Sequence, residues 1–461
     1  MKKLTYYSIT ATLVFMLIGL CFLSTPASAN HYKHKFPYNP IIFVHGGSGS
    51  GGQFESQAMR FTSNAYPQDY INVHEYDSSF SINTMDQVYA GLDQLIAALL
   101  EETGFDQVDI LGHSLGTTVM HGYLAFPDRA AKIAHYVNID GRTAAAPPGG
   151  VPTLAIWAGR GTPGRLIVGA TNVTVPNQTH VQSATSAESF FEMYKFFTGH
   201  EPKTTEVLPE PFGSIWIAGR AVLFPQNVGV ANSTLEIYKV NGDTGFRIHN
   251  KPEAIYAIDE SGNWGPFKAK AGEYYEFNIV RPGQNHHFYY EPFIRDDYLV
   301  RLLASPIGGG TGALLDTSEK QSNLGIIRYK EVWGDQGIQN DILAVNGVNL
   351  ANEAICPITK RVNSLYAFDK GSDGISDLSQ MIPVFVPISF LTGVDFYIPG
   401  ANPPDESIRI TLIPRGGNGK MQILNVPNWV STIEGPRITI QFRDFLQKEN
   451  LPCGDGAKHW W

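Results

Sequence analysis

The sequence predicts an α/β domain in its first half and an all-β arrangement in its second half. In the first half, short apolar runs that suit buried parallel strands alternate with segments of helical spacing. In the second half, alternating apolar segments are separated by turns rich in glycine and asparagine. The composition, with 46 glycines, 29 prolines and only 17% charged residues, agrees with loop-rich and β-rich domains.

Length and charge limit the classes of function. A chain of 461 residues is long enough for two or three domains, each with its own hydrophobic core. The net charge is -9, and the lysines and arginines form no cluster along the sequence. A nucleic-acid partner is therefore excluded, because the neutralisation of phosphates requires concentrated positive charge.

The N-terminus has the pattern of a secretory signal. Lys2 and Lys3 precede an apolar run over residues 9–23, and small residues lead up to Ala29. We expect a signal peptide at residues 1–29, with cleavage after Ala29 and secretion of the mature protein. The alternative is an uncleaved membrane anchor, because the apolar segment is nearly long enough to span a bilayer.

Changes in periodicity divide the rest of the chain. A polar connector with several prolines ends the first half, and the glycine-rich residues 308–312 mark a second boundary. The predicted segments are the signal peptide (1–29), an α/β domain (30–203), a linker (204–212), a β-sandwich module (213–305) and a second β-rich module (306–461).

The α/β domain is predicted from its elements in order. A buried strand over residues 40–44 leads into a glycine loop, and a second strand follows over residues 71–76. Thr84 begins a helix, because Gln87 three residues later completes a capping box. A third strand covers residues 108–111 and precedes another helix. This order predicts a parallel sheet with helices on both faces and right-handed crossovers.

The turn after the third strand has the pattern of a nucleophile elbow. Ser114 stands between Gly112 and Gly116, where a sharp strand-to-helix turn would leave no room for side chains. The turn would expose the Ser114 hydroxyl and aim the backbone N–H of Leu115 at a developing oxyanion. The alternative is an ordinary turn with no catalytic role.

The glycine loop at residues 45–52 fits an oxyanion loop. No Gly-Lys-Ser/Thr follows it, and its spacing differs from that of dinucleotide-binding loops, so a phosphate cradle is disfavoured. A second oxyanion donor is needed close to Leu115. Gly47 can supply its backbone N–H, because no side chain prevents a close approach. A flexible turn is the alternative.

The catalytic acid is chosen by elimination. Between Ser114 and Glu188 the chain has two carboxylates, Asp128 and Asp140. Asp128 lies at a predicted helix end, where a capping or ion-pair role explains it. Asp140 follows the predicted strand at residues 133–139, at the sheet edge that also carries the serine. We therefore predict Asp140 as the acid.

The base is chosen by its place in the predicted sheet. His113 adjoins the nucleophile and is expected to point away from it, while His121 and His135 lie inside a helix and a strand. His180 instead follows a strand at residues 171–175 and precedes the last helix, so it can reach the serine. An isolated loop histidine is the alternative. The chain order of serine, aspartate and histidine is that of the α/β-hydrolase fold.

Three stretches together resemble the two-domain archaeal lipases. They are His45-Gly46-Gly47 with QFESQAMRF at residues 53–61, Gly112-His113-Ser114-Leu115-Gly116, and Thr179-His180-Val181-Gln182. Those enzymes join an α/β-hydrolase domain to a C-terminal β-barrel-like domain that is thought to help bind lipid. The resemblance is strongest over residues 38–212. It implies that residues 30–203 form a catalytic domain that hydrolyses esters.

The same resemblance assigns site residues by position. It implies a triad of Ser114, Asp140 and His180, with Gly47 and Leu115 as the oxyanion donors. The chain departs from those lipases where they carry a long helical lid, because only residues 78–83 fill that gap. We therefore expect a site that is open to soluble or polymeric esters.

The second half is predicted as strands. The predicted strands cover residues 215–223, 234–240, 254–258, 274–280 and 287–290, and strands resume from residue 325 to residue 442. Residues 259–275 resemble prealbumin-like β-sandwich modules, which place a glycine-centred hairpin before a closing strand. Such modules bind or space more often than they catalyse.

Two features of the second module leave alternatives open. Residues 369–377 space carboxylates like part of a calcium loop, but Gly371 and Gln380 stand where oxygen ligands are needed. We expect a solvated turn and no cofactor, with calcium as the alternative. After signal cleavage, Cys356 and Cys453 remain, which permits one disulfide in an exported protein.

Together these patterns predict a secreted serine carboxylic-ester hydrolase, a lipase or esterase, with an ester or lipid substrate. The β-rich half is the candidate for contact with a lipid interface. One alternative is a polymer-directed esterase, such as a polyester depolymerase or a carbohydrate deacetylase. The other is a surface-binding protein with a silent hydrolase domain.

Overall fold

The computed structural model describes residues 36–210, 213–416, 419–432 and 437–443. The predicted signal peptide at residues 1–29 and the thiol of Cys453 lie outside these ranges, so both remain predictions. From Tyr38 onwards the chain forms one compact unit. Among the described helices, none has the length and apolar character needed to cross a membrane.

A six-stranded parallel sheet forms the first half. Its strands are β1 Ile41–Val44, β2 Ile71–His74, β3 Val108–His113, β4 Ile133–Ile139, β5 Thr153–Ala158 and β6 Thr171–Val175. They lie in the order β2-β1-β3-β4-β5-β6, and every neighbouring pair is parallel. The helices are α1 Glu55–Ser63, α2 Met85–Thr103, α3 Leu115–Tyr123, α4 Pro127–Ala130, α5 Gln182–Thr185 and α6 Ala187–Thr198.

Helices cover both faces of this sheet, as predicted. Successive side chains of a strand point to opposite faces. Ile42 of β1 belongs to a core cluster with Leu92 of α2. Its neighbour Phe43 packs on Phe61 of α1, with the ring centroids 6.3 Å apart, and Phe61 packs on Phe190 of α6 at 5.0 Å. Each face of β1 is therefore buried by a different pair of elements.

The start of α2 illustrates how the sequence fixes an element. The Thr84 side chain accepts a hydrogen bond from the Gln87 backbone N–H, and the Gln87 side chain accepts one from the Thr84 N–H at 2.8 Å. This is the predicted capping box. At the other end, Gly104 adopts a φ of 70°, which terminates the helix in a left-handed conformation that glycine tolerates without strain.

Strands account for most of the regular structure in the second half. They are β7 Ser214–Leu223, β8 Val228–Gly229, β9 Ser233–Val240, β10 Ala254–Ile258, β11 Asn263–Lys270, β12 Tyr274–Val280, β13 His286–Tyr290, β14 Asp297–Ala304, β15 Leu324–Arg328, β16 Ile342–Val345, β17 Val348–Asn349, β18 Ser364–Phe368, β19 Leu391–Asp395, β20 Ser407–Ile413, β21 Gln422–Pro427 and β22 Arg437–Phe442. Together with the parallel sheet, they confirm the predicted fold class.

One sheet runs through both predicted β modules. Its eight strands lie in the order β10-β9-β12-β13-β22-β15-β18-β19. The connection is made by β13, which pairs in parallel with β22, for example between His286 and Arg437. Strands on either side of the predicted boundary at residue 305 therefore share hydrogen bonds. Two four-stranded sheets complete the half. One has the order β11-β7-β14 with β8 paired to β7, and the other has the order β17-β16-β20-β21.

Candidate active site

Ser114 lies at the sharp turn between β3 and α3. Its backbone has a φ of 53° and a ψ of -118°, a conformation that costs a non-glycine residue energy. The flanking glycines make the turn sterically feasible. A Cβ on Gly112 would come within 2.8 Å of the Gly116 carbonyl oxygen, and a Cβ on Gly116 within 2.4 Å of the Val44 carbonyl oxygen. The turn thus has the geometry of a nucleophile elbow.

His180 and Asp140 are brought together from different loops. Asp140 directly follows β4, and His180 lies between β6 and α5. The His180 Nδ1 donates a hydrogen bond to Asp140 Oδ2 at 2.6 Å, which leaves Nε2 for the predicted role of base. Both side chains are largely buried, with 13% and 3% of their surface exposed.

The Asp140 carboxylate is held in its charged form. Its other oxygen accepts hydrogen bonds from the Ala158 N–H at 3.0 Å and from Arg165 Nη1 at 2.8 Å. Burial raises the pKa of Asp140, but the hydrogen bond and charge of His180, together with Ala158 and Arg165, outweigh burial and lower that pKa below its usual value. A charged acid at this position fixes the tautomer and orientation of the imidazole.

The predicted nucleophile, base and oxyanion loop surround one small cavity. Ser114, His180 and Gly47 all line a space of about 30 Å³. Gly47 also adjoins Leu115, because a Cβ built on Gly47 would lie 3.8 Å from the Leu115 side chain. Leu115 is the first residue of α3, where backbone N–H groups lack helical partners. The structure therefore groups the predicted triad and both predicted oxyanion donors.

His113 has a place in the site that sequence reasoning did not give it. Its Nε2 donates to the His180 carbonyl oxygen at 2.9 Å, and its Nδ1 accepts from Gln53 Nε2 at 2.5 Å. Burial and the neighbouring His180 lower the pKa of His113 to about 3, so its ring is neutral. His113 thus links the nucleophile elbow to the loop of the base. His135, which was also rejected as the base, lies on β4 beside Asp109.

The oxyanion loop is held by side chains from elsewhere in the chain. Asn227, in the turn between β7 and β8, donates to the Gly49 carbonyl oxygen at 2.9 Å. The Gly51 N–H donates to the Glu75 carboxylate at 2.6 Å. The Ser48 N–H donates to the Ser78 hydroxyl at 2.9 Å. These contacts restrain a loop whose glycines would otherwise leave it mobile.

A larger apolar cavity adjoins the small cavity at Ser114. It has a volume of about 360 Å³ and shares lining residues with the small cavity, among them Ser48 of the oxyanion loop and Phe390. Phe390 lies beside the base, with its ring centroid 6.4 Å from that of His180. Most of the remaining lining is apolar and comes from the β-rich half. Examples are Leu303, Leu315, Ile327, Ile388 and Leu391.

The segment at residues 78–83, predicted as the counterpart of a lid, belongs to a short turn between β2 and α2. Asp77 organises this turn, because its carboxylate accepts hydrogen bonds from the backbone N–H groups of Ser79, Ser81 and Ile82. The structure therefore places no lid helix between these two elements.

Within the described ranges, no group of three or more His, Cys, Asp or Glu side chains could hold a metal ion. In the segment 369–377, the Asp369 carboxylate accepts from the Gly374 N–H at 2.9 Å and Asp373 accepts from the Ile375 N–H at 2.8 Å. These bonds are those of a closed turn. Cys356 is buried in a hydrophobic cluster, and its pairing with Cys453 stays a prediction.

Three family models match the sequence. Residues 38–131 match a model described as lipase (class 2), and residues 213–307 match the lipase C-terminal domain. Residues 310–446 match a further C-terminal domain. The first match covers the elbow and the oxyanion loop, and the other two cover the β-rich half.

Several solved structures are similar at low identity. The product of gene lin2722 from Listeria innocua shares 14% identity, covers 36% of this chain and 97% of its own, and gives a TM-score of 0.29. The lipase BlEst2 of Bacillus licheniformis in its propeptide form shares 11% sequence identity with this chain. The match covers 86% of this chain and 94% of BlEst2, with a TM-score of 0.28. Est1E from Butyrivibrio proteoclasticus, with ferulic acid bound, shares 10% sequence identity with this chain. The match covers 36% of this chain and 93% of Est1E, with a TM-score of 0.27.

Proposed function

We propose that this chain, a two-domain lipase-like protein, is a secreted carboxylic-ester hydrolase that acts through an acyl-enzyme on Ser114. One observation carries the proposal. Ser114, on a strained elbow, lines the same cavity as His180, whose Nδ1 is bonded to Asp140 at 2.6 Å. A nucleophile, a base and an orienting acid in this chain order serve acyl transfer.

The reaction begins when Ser114 Oγ attacks the ester carbonyl carbon and passes its proton to His180 Nε2. Asp140 stabilises the imidazolium that forms, and the N–H groups of Gly47 and Leu115 bind the oxyanion. The alcohol then leaves with the proton of His180, and the acyl group stays on Ser114. Water, deprotonated by His180, attacks this ester, releases the acid and regenerates the serine. This chemistry requires no cofactor.

The apolar cavity favours an alkyl acyl chain as substrate. A chain leaving the carbonyl carbon between Ser48 and Phe390 enters a space of about 360 Å³ with apolar walls. Burying each methylene group there contributes about 0.8 kcal/mol. A mainly apolar cavity suits a lipid ester better than a sugar polymer, so a lipase or long-chain esterase is preferred to a carbohydrate deacetylase.

The β-rich half supplies most of the cavity wall, and we propose that it also contacts the lipid phase. Val384 and Val386 are exposed apolar residues on the segment that leads to Phe390, with 43% and 59% of their surface accessible. Exposed apolar side chains a few residues before the cavity-lining residues Ile388 and Phe390 are suited to an interface with lipid.

The proposal is tested by hydrolysis of p-nitrophenyl esters with two to sixteen carbons. The mature chain, residues 30–461, is compared with Ser114→Ala and with the control Ser214→Ala, which changes an exposed serine on β7. We expect Ser114→Ala to lose at least a thousandfold in kcat and Ser214→Ala to keep wild-type rates. A maximum at two carbons would favour the polymer-directed esterase. No turnover by wild type on any ester would favour the silent binding protein.

Secretion is tested separately. The proposal predicts that the protein expressed from its full gene is recovered from the culture medium with Asn30 as its first residue. Recovery in the membrane fraction with an intact N-terminus would instead establish the anchored alternative.

A further inference from the structure

A buried glutamate of the β-rich half lies against the loop of the base. Glu331 follows β15 and has none of its surface exposed. Its Oε1 accepts a hydrogen bond from the Val181 N–H at 2.7 Å, and its Oε2 accepts one from the Gln182 N–H at 3.2 Å. The Thr179 hydroxyl also donates to Oε2. One carboxylate thus binds the residues on both sides of His180.

These contacts explain how a buried carboxylate is tolerated at this position. An ionised carboxylate that is taken out of water without partners costs several kcal/mol. Here the hydroxyl and both backbone N–H groups supply the hydrogen bonds that water would have made. The dependence is mutual, because the N–H groups of Val181 and Gln182 would lose this buried acceptor if the carboxylate were removed.

Neighbouring groups strengthen the same contact. Arg415 donates to the Glu331 backbone carbonyl oxygen and, at 3.3 Å, to the Gln182 side-chain oxygen. The Thr185 hydroxyl donates to the Tyr329 carbonyl oxygen at 2.9 Å. Residues of the second β module therefore form several hydrogen bonds with residues 179–185, the loop and short helix that carry His180.

The hydrolase domain holds His180 by other atoms. The His180 carbonyl oxygen accepts from His113 Nε2 at 2.9 Å and from the Ser183 hydroxyl at 2.8 Å, and its ring is bonded to Asp140. None of these bonds fixes the N–H groups that follow His180. Glu331 supplies that restraint on the backbone that carries the His180 ring.

We infer that Glu331 is a positioning residue for the base, so that the β-rich half is required for the chemical step itself. This inference rests on the proposed ester hydrolysis. It separates two roles of the β-rich half. If this half only bound the acyl chain, its loss would affect long-chain esters. If it positions His180, disturbing Glu331 lowers kcat on every ester, including acetate.

The test measures kcat and KM of Glu331→Gln in the mature chain on p-nitrophenyl acetate and p-nitrophenyl dodecanoate. A displacement of a catalytic group by about 1 Å costs on the order of a hundredfold in rate. We expect kcat to fall between about tenfold and a hundredfold on both esters, with KM within about twofold of wild type. The control Glu353→Gln, an exposed glutamate of the same module, should keep wild-type kinetics.

Rescue distinguishes positioning from a general loss of structure. Glu331→Asp keeps the charge and is expected to recover part of kcat, whereas an unfolded variant would lose its thermal transition. If Glu331→Gln does not fold, the kcat of the Thr179→Val variant tests the inference instead. It removes one donor to the carboxylate, and an unchanged kcat in this variant would overturn the inference.

Failure of the inference differs from failure of the proposed function. An active wild type that depends on Ser114, together with a Glu331→Gln variant within twofold in kcat, overturns the inference alone. A loss confined to dodecanoate also overturns it, because that result assigns Glu331 to chain binding. Wild-type hydrolysis that survives in Ser114→Ala overturns the proposed function.

Discussion

Glu75 offers the most quantitative test of how the two halves support the site. It directly follows β2 and is almost fully buried. Its Oε1 accepts from the Gly51 N–H at 2.6 Å and from Arg301 Nε at 2.8 Å, and its Oε2 pairs with Arg220. A single carboxylate therefore joins the oxyanion loop to β14 and β7. The substitution Glu75→Gln keeps the shape and removes the charge.

The magnitude follows from the pKa of this group. Burial raises the pKa of Glu75, but the guanidinium groups of Arg301 and Arg220 outweigh burial and lower it to about 2, from an ordinary value of 4.5. Because a pKa unit corresponds to 1.36 kcal/mol, this shift contributes about 3 kcal/mol to the free energy of unfolding at neutral pH. The contribution is complete above pH 4.5 and is lost as the pH falls towards 2.

The assay is urea unfolding followed by tryptophan fluorescence at pH 7, 5 and 3, with Glu101→Gln on the exposed face of α2 as control. We expect Glu75→Gln to lower the free energy of unfolding by about 3 kcal/mol at pH 7, and by only about 1 kcal/mol at pH 3. The control should match wild type throughout. A deficit of Glu75→Gln that is equal at all three pH values would refute the electrostatic reasoning.

Two further predictions concern catalysis. Asp140→Asn should lower kcat on p-nitrophenyl esters by about 10⁴-fold with little change in KM, because an amide no longer holds the productive tautomer of His180; a loss below tenfold would contradict this role. Leu303→Trp narrows the apolar cavity and should lower kcat/KM for dodecanoate at least tenfold while leaving acetate within twofold, as compared in one ester series. Equal losses on both esters would argue against an acyl site there.

Local patterns carried the predictions that the structure bears out. The Thr84 and Gln87 capping box and the sharp strand-to-helix turn at Ser114 follow from residues only a few positions apart. The strand bounds at residues 254–258 and 274–280 were predicted to the residue, because alternation between turns is a local signal. Such features need no knowledge of the rest of the chain.

Contacts between distant segments could not be predicted in the same way. The bonds from Glu331 to the base loop join residues about 150 positions apart, and the pairing of β13 with β22 closes a similar distance. A charged residue in a sequence is expected at the surface, since a single sequence does not show which partner will neutralise its charge in the fold. β5, an interior strand of the parallel sheet, was also missed, because its five apolar residues after Thr153 carry no periodicity that separates strand from helix.

The role of His113 also depends on contacts between distant segments. His113 was expected only to point away from Ser114, and the contact of its ring with that of His180, at 4.6 Å between centroids, was not predicted. The position of His113 directly before Ser114 is the signal that could have suggested a role in the site. A side chain there can donate a hydrogen bond to the neighbouring loop that carries His180. Whether it donates to the loop of the base depends on how two loops meet, which only the fold decides.

The proposed ester hydrolysis depends on Ser114 carrying the acyl group. The most direct measurement is the intact mass of the mature chain after inactivation by diethyl p-nitrophenyl phosphate, followed by peptide mapping. We expect one diethylphosphoryl group on Ser114, loss of esterase activity in proportion to labelling, and no label on Ser114→Ala. A label on another residue that abolishes activity, or full activity after complete labelling of Ser114, would contradict it.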